Sequence, residues 1–160
     1  MSGIVNSRGS KTGEIGIANG VTRSAFCARY SNTTWYTTSG SQKIPFNTTS
    51  GGNTCFDVGG DFDTANHRYI APTNGYYYFN LTMYSFHNSA SNYFVYYKNG
   101  GIMTQGGGNI FAMANHGTTD MSLHMPIDVQ LDKGSYIEVW SNADADWYSG
   151  HSIFHGHRVF

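Results

Sequence analysis

Apolar and polar side chains alternate strictly over residues 76–84, with Tyr77, Phe79, Leu81 and Met83 on one side and Tyr76, Tyr78, Asn80, Thr82 and Tyr84 on the other. A two-residue period of this kind predicts a strand with one buried face. The same period runs over 120–131, where Met121, Leu123, Met125, Ile127, Val129 and Leu131 keep one parity across Pro126. That segment is expected to be one strand with an edge or bulged residue at the proline. Shorter strand patterns occupy 24–30, 53–58, 67–71, 92–98, 135–141 and 152–160, and a hairpin partner starts at Ile102. Residues 43–47 read as an edge strand because Pro45 cannot donate to a ladder.

Turn chemistry separates these segments. Asn74-Gly75, Asn99-Gly100-Gly101 and Asp132-Lys133-Gly134 are turn signals, residues 106–108 are a glycine break, and 32–41 and 142–150 read as loops. No segment carries a helical period. About ten short strands joined by turns predict an all-β antiparallel sandwich or jelly roll. Residues 1–22 break the pattern. Their few apolar residues, Ile4, Val5, Ile15 and Ile17, are spaced by glycines, which predicts an irregular arm ahead of a head domain over 23–160.

Composition narrows the function. A chain of 160 residues is long enough for one self-sufficient core. Charged residues are only 12%, about half the usual share. This suits a protein whose surface is covered by further copies of itself; a Ser/Thr/Asn-rich polar surface is the plainer account. The net charge of −1 and the absence of a basic run exclude nucleic acid as main partner. No apolar stretch approaches the roughly 20 residues of a membrane helix. The polar start lacks the apolar core of a secretory signal, so the chain is expected to work without classical secretion. Cys27 and Cys55 are too few for a disulfide framework; they read as small buried hydrophobes or as one bridge if their strands meet.

A set of motifs in order resembles the globular head domain of the complement C1q family, a jelly roll related to tumour necrosis factor. Ala25-Phe26-Cys27-Ala28 is similar to that family's opening strand and Ile44-Pro45-Phe46 to its next. Asp57, Phe62 and Tyr69 follow its acidic and aromatic spacing before Ala71-Pro72. Gly75-Tyr76-Tyr77-Tyr78-Phe79, Lys98-Asn99-Gly100, Leu131-Asp132-Lys133-Gly134 and Ser152-Ile153-Phe154-His155-Gly156 complete the series. An insertion separates Phe46 from Asp57, Ser135 stands where an acidic residue is expected, the end is His157-Arg158-Val159, and no collagen-like stem is present. The resemblance implies a homotrimer, with Tyr69, Phe154, His155 and His157 at the trimer interface, ligand binding through outer loops and, in some members, calcium near the apex. The start Met1-Ser2-Gly3-Ile4-Val5 is also similar to the starts of structural proteins of environmental bacteriophages. That likeness implies a virion fibre, knob or decoration protein. Its arm would dock on a capsid or tail protein, and its head would attach to a host-surface glycan or protein. The alternative is a soluble extracellular, lectin-like recognition protein.

The candidate chemistry is binding, not catalysis. No nucleophile elbow occurs, and no spacing arranges Ser, His and Asp into a triad. Gly9-Ser10-Lys11-Thr12 lacks the Gly-Lys of a phosphate loop. Trp35, Tyr36, Trp147 and Tyr148, read as loop aromatics, are candidate ligand platforms, with core or trimer packing as the alternative. His155 and His157 share a strand face, where they could bind metal or sense pH in a trimer, or simply be polar strand residues. Asp144 and Asp146 have oxygen-ligand spacing suited to calcium or to a solvated loop; no other cofactor is expected.

Overall fold

A computed structural model describes residues 23–52, 54–85, 92–109, 111–114, 121–142 and 145–160. The strands are β1 Ala25–Arg29, β2 Trp35–Thr38, β3 Ser41–Lys43, β4 Phe56–Val58, β5 Phe62–Asp63, β6 Arg68–Ile70, β7 Gly75–Ser85 and β8 Asn92–Lys98. They continue as β9 Gly101–Ile102, β10 Thr104–Gln105, β11 Gly108–Asn109, β12 Phe111–Ala114, β13 Met121–Leu131, β14 Tyr136–Asn142, β15 Ala145–Tyr148 and β16 Ile153–Arg158.

Two antiparallel sheets face each other. In the first, β13 lies along one edge of β7 and β16 along the other, followed by β1 and then β4. β15 runs end to end with β16, meets β7 at Trp147 opposite Ser85, and carries β2 on its outer side. The second sheet has the order β12-β8-β14-β6-β5, with β3 on β14 and β9 on β8. The chain is an all-β jelly roll.

The long alternating strand is β7, and its inward residues Tyr77, Phe79, Leu81 and Met83 are all buried. They meet Phe26 and Ala28 of β1, Phe154 of β16, and Phe94, Tyr96, Ile137 and Val139 of the second sheet. Aromatics set the packing. Phe26 lies 4.8 Å from Tyr69, 4.9 Å from Phe62 and 4.9 Å from Phe154, centroid to centroid. Each fully buried side chain of this size is worth about 1.5–3 kcal/mol of transfer free energy.

β13 runs unbroken through Pro126, which sits opposite Asn80. Among the described residues β13 pairs with β7 alone, so no described strand on its far side needs the N–H that the proline lacks. Asn99 and Gly100 both have positive φ, 52° and 81°, and turn β8 into β9. Positive φ at both central residues is the geometry of a primed hairpin turn. The expected glycine break is such a turn as well: Gly106 and Gly107, with φ of 59° and 87°, join β10 to β11.

Four expectations need correction. Asn74-Gly75 is no hairpin turn. It carries the chain from β6 in one sheet to β7 in the other, and Gly75 is already strand. Glycine is required there by closeness, since a Cβ would stand 2.5 Å from the Phe160 carbonyl oxygen. Residues 43–47 are not an edge strand: β3 ends at Lys43, and Ile44 and Phe46 turn into the core. The 32–41 loop contains β2. The 142–150 loop contains β15 and a 3-10 turn, Ser149–His151. In both, β-branched and aromatic residues pair with each other across the sheet.

Candidate functional site

Alternation along β7, β16, β1 and β4 places a second set of side chains on the outside of the first sheet. Register defines two rows across it. One runs Phe56, Cys27, His155, Asn80, Pro126 and the other Val58, Ala25, His157, Tyr78, Asp128. A third row holds Arg29, Ile153, Thr82 and His124. All the strongly exposed large hydrophobic residues among those described, Trp35, Phe56, Val58, Tyr76, Val159 and Phe160, belong to strands of this sheet or to the tail after β16. Its charges are marginal. Asp128 is on the β13 edge, and Arg29 turns its guanidinium to the carbonyls of Tyr30 and Ser50.

The second sheet's outer surface is different, because it closes on itself. Lys43 Nζ donates to Glu138 Oε1 at 2.5 Å, and Trp140 Nε1 donates to Glu138 Oε2 at 3.1 Å. Tyr97 stacks on Trp140 at 4.8 Å, and the Arg68 guanidinium lies over Tyr136 at 4.6 Å. Cations cover aromatic faces there and the carboxylate is satisfied.

Histidines gather on the open face. The His155 ring is half-buried beside Tyr78, and Asn80 Nδ2 lies 3.2 Å from its Nε2. Burial, and after it the neighbouring His157, hold the His155 pKa below the ordinary 6.5. His157 packs on Tyr78 at 5.4 Å. His124 Nδ1 lies 3.1 Å from the Thr82 hydroxyl, and His151 packs edge-on to Tyr84 at 5.1 Å. Of these, only His155 and His157 were expected from sequence to share a strand face. His124 was legible in the parity of β13, one step out of phase with its apolar residues.

The predicted site residues separate. Trp35 is 47% exposed and lies 5.2 Å from Tyr148, with Tyr84 and His151 alongside; these rings form a cluster on the outer side. Tyr36 is half-buried, and Trp147 is fully buried against Tyr36 and Phe46, so it is core and not a ligand platform. Trp147 follows Asp146 in a strand, and alternation sends it inward. Tyr69 and Phe154 are also core, at 0% exposure, and cannot line an interface. Ser24 Oγ holds the Tyr69 hydroxyl at 2.5 Å and donates to Asp61 Oδ2 at 2.5 Å, while Asp57 accepts from the Asp61 and Phe62 amides. The acidic and aromatic spacing is therefore a buried tether, not a surface. His155 and His157 do face outward.

Asp146 is a β15 residue opposite Thr37, and Ser85 donates to its carbonyl at 2.8 Å. Asp144 and the arm residues Ile4, Val5, Ile15 and Ile17 lie outside the described residues. Among the described residues no three His, Cys, Asp or Glu side chains are grouped to hold a metal, and no helix is long and apolar enough to cross a membrane. Cys27 and Cys55 are free thiols. Burial, and then Cys55 beside it, push the Cys27 thiol up to about 12, so it stays protonated and unreactive.

No protein-family model matches the chain, and no curated protein matches its sequence. Solved structures do. The globular domain of zebrafish complement 1qA is 14% identical with a TM-score of 0.59, covering 86% of this chain and 98% of its own. Murine APRIL at pH 5.0 is 11% identical with a TM-score of 0.62, covering 86% and 99%. Eiger TNF from S. frugiperda is 10% identical with a TM-score of 0.60, covering 86% and 92%. At these identities the likeness establishes the fold: a C1q/TNF-like jelly roll.

Proposed function

We propose that the protein is a non-catalytic homotrimeric structural and binding module that assembles through the outer face of its first sheet. The observation that carries this reading is the segregation of exposed hydrophobics. Phe56, Val58 and Tyr76 lie on that face, while the other sheet's exterior is sealed by its own ion pair and cation–π contacts. Exposed apolar patches of this kind mark association surfaces. The C1q/TNF-like fold and the low charge content support the same reading. Sedimentation of the full chain at micromolar concentration is expected to give three times the 17.6 kDa chain mass; a monomer overturns it.

At finer scale, the module is a phage virion fibre, knob or decoration protein. Residues 1–22 anchor it to a capsid or tail protein, and the head faces outward towards the host. The start of the chain and the glycine-spaced apolar residues of the arm support this. A full chain with Ile4, Val5, Ile15 and Ile17 changed to Ser is expected to stop co-sedimenting with the particle; retained binding overturns the anchor.

One observation favours a second reading, a soluble extracellular lectin-like protein. Trp35, Tyr84, Tyr148 and His151 present a cluster of rings at one end of the head. Glycan-array binding that is lost in Trp35→Ala would select it, and an array without hits would remove it.

A further inference from the structure

We infer that the self-associating face is an acid-releasable interface, with His155 and His157 as the groups whose protonation opens it. The inference rests on the proposed assembly through this face and names its regulation. Geometry comes first. The two histidines occupy the middle of both cross-sheet rows, between Cys27 and Asn80 and between Ala25 and Tyr78. A copy laid on Phe56, Val58 and Tyr78 therefore covers them. Asn80 presents its amide to His155, and its Oδ1 is buried without a partner among the described residues.

The surrounding charges do not offset a protonated pair. On β1, Cys27 is neutral and Arg29 is turned away to the loop carbonyls. On β4, Phe56 and Val58 are apolar and Asp57 is engaged by backbone amides. On β7 the facing groups are Tyr78 and Asn80. Arg23 and Arg158 line the cleft that also holds His157, together with Phe160, and add like charge. On β13, Asp128 faces Tyr78 from the far edge, two strands from His157, and His124 adds a further titratable ring. His151 adds another beside Tyr84. Acidification therefore loads one sign of charge onto a surface that assembly desolvates, and a threefold arrangement triples it. Burial by a copy disfavours the charged form further, and burial already disfavours it at His155 in the single chain.

The test is sedimentation of the full chain at pH 7.5 and pH 5.0, with near-UV circular dichroism at both values. The wild type is expected to assemble at pH 7.5 and to release folded single chains at pH 5.0. The half-dissociation concentration should rise by roughly tenfold or more, the scale set by one unit of pKa shift. The variant carrying H155Q and H157Q is expected to stay assembled at both. A wild type that remains assembled at pH 5.0 overturns the inference and leaves the assembly reading intact. So does release by the variant in parallel with the wild type, or loss of the near-UV signal on release. A chain that is single already at pH 7.5 overturns both.

Discussion

Trp147 and Tyr148 are adjacent in the chain and lie on opposite sides of the same strand: the indole packs 5.2 Å from Tyr36 inside the sandwich, and the phenol lies 5.2 Å from Trp35 outside it. The two aromatics therefore answer to different physics. Trp147→Ala is expected to cost about 3–5 kcal/mol of stability, as other large-to-small core changes do. Its Nε1 has no acceptor among the described residues, so Trp147→Phe gives up no hydrogen bond there and is expected to cost much less. Denaturant unfolding of the two variants checks both.

Phe56→Arg separates folding from assembly. Phe56 is 45% exposed on β4 and opposes Cys27 on the open face. Away from buried features such a change stays within about 0.5 kcal/mol of the wild type. The variant is expected to stay folded, to sediment as a single chain, and to unfold at a midpoint that does not rise with protein concentration, whereas the wild-type midpoint does.

That same variant isolates the pH dependence of the single chain. A histidine whose folded pKa lies below the ordinary 6.5 binds fewer protons folded than unfolded between the two values. Its contribution is therefore neutral above 6.5 and becomes a loss of stability as pH falls below it, levelling off below the folded pKa. Urea unfolding of Phe56→Arg from pH 8 to pH 5 is expected to show this decline, and adding His155→Gln to flatten it.

Gly156 tests the closing motif. It lies opposite Phe79 on the inner side, where a Cβ would stand 2.5 Å from a Phe79 ring carbon and 2.7 Å from the Tyr78 carbonyl oxygen. The backbone oxygen cannot yield as a side chain can. Gly156→Ala is expected to cost about 1–3 kcal/mol, the usual range for overpacking, measured as a lowered denaturation midpoint.

Tyr69→Phe probes the tether. The hydroxyl bonds Ser24 in the core, and its removal leaves the Ser24 hydroxyl bonded to Asp61 alone. A loss of about 0.5–1.5 kcal/mol is expected in equilibrium unfolding, the net worth of one hydrogen bond.

The jelly roll was legible because β7 and β13 are long enough for period two to be unmistakable and because glycine-bearing turns fall between the strands. That His155 and His157 share a face followed from the same parity; that this face is the outer one is set by the register of β16 with β1 and β7. What escaped was decided by contacts distant in sequence. β15 is only four residues long and includes Asp146, so only its pairing with β2, more than a hundred residues earlier, makes it a strand and turns Trp147 inward. Tyr69 and Phe154 were placed at an interface by family likeness, but alternation within β6 and β16 directs them to the core. The open face itself was invisible along the chain, since each of its rows draws on four or five separate strands.

The position of β16 governs the order of events in folding. It lies between β7 and β1, so the last strand to be made fills the gap between two strands made long before it. Until residues 153–158 are synthesised, β1 and β7 have no ladder to share, and Phe26 and Phe79 have no Phe154 to close over them. The head must then wait for its last strand and pay loop closure across nearly its whole length, which places it with the slow, millisecond-to-second all-β folders. During that wait the exposed edges of β1 and β7 are the segments most open to pairing with the wrong chain.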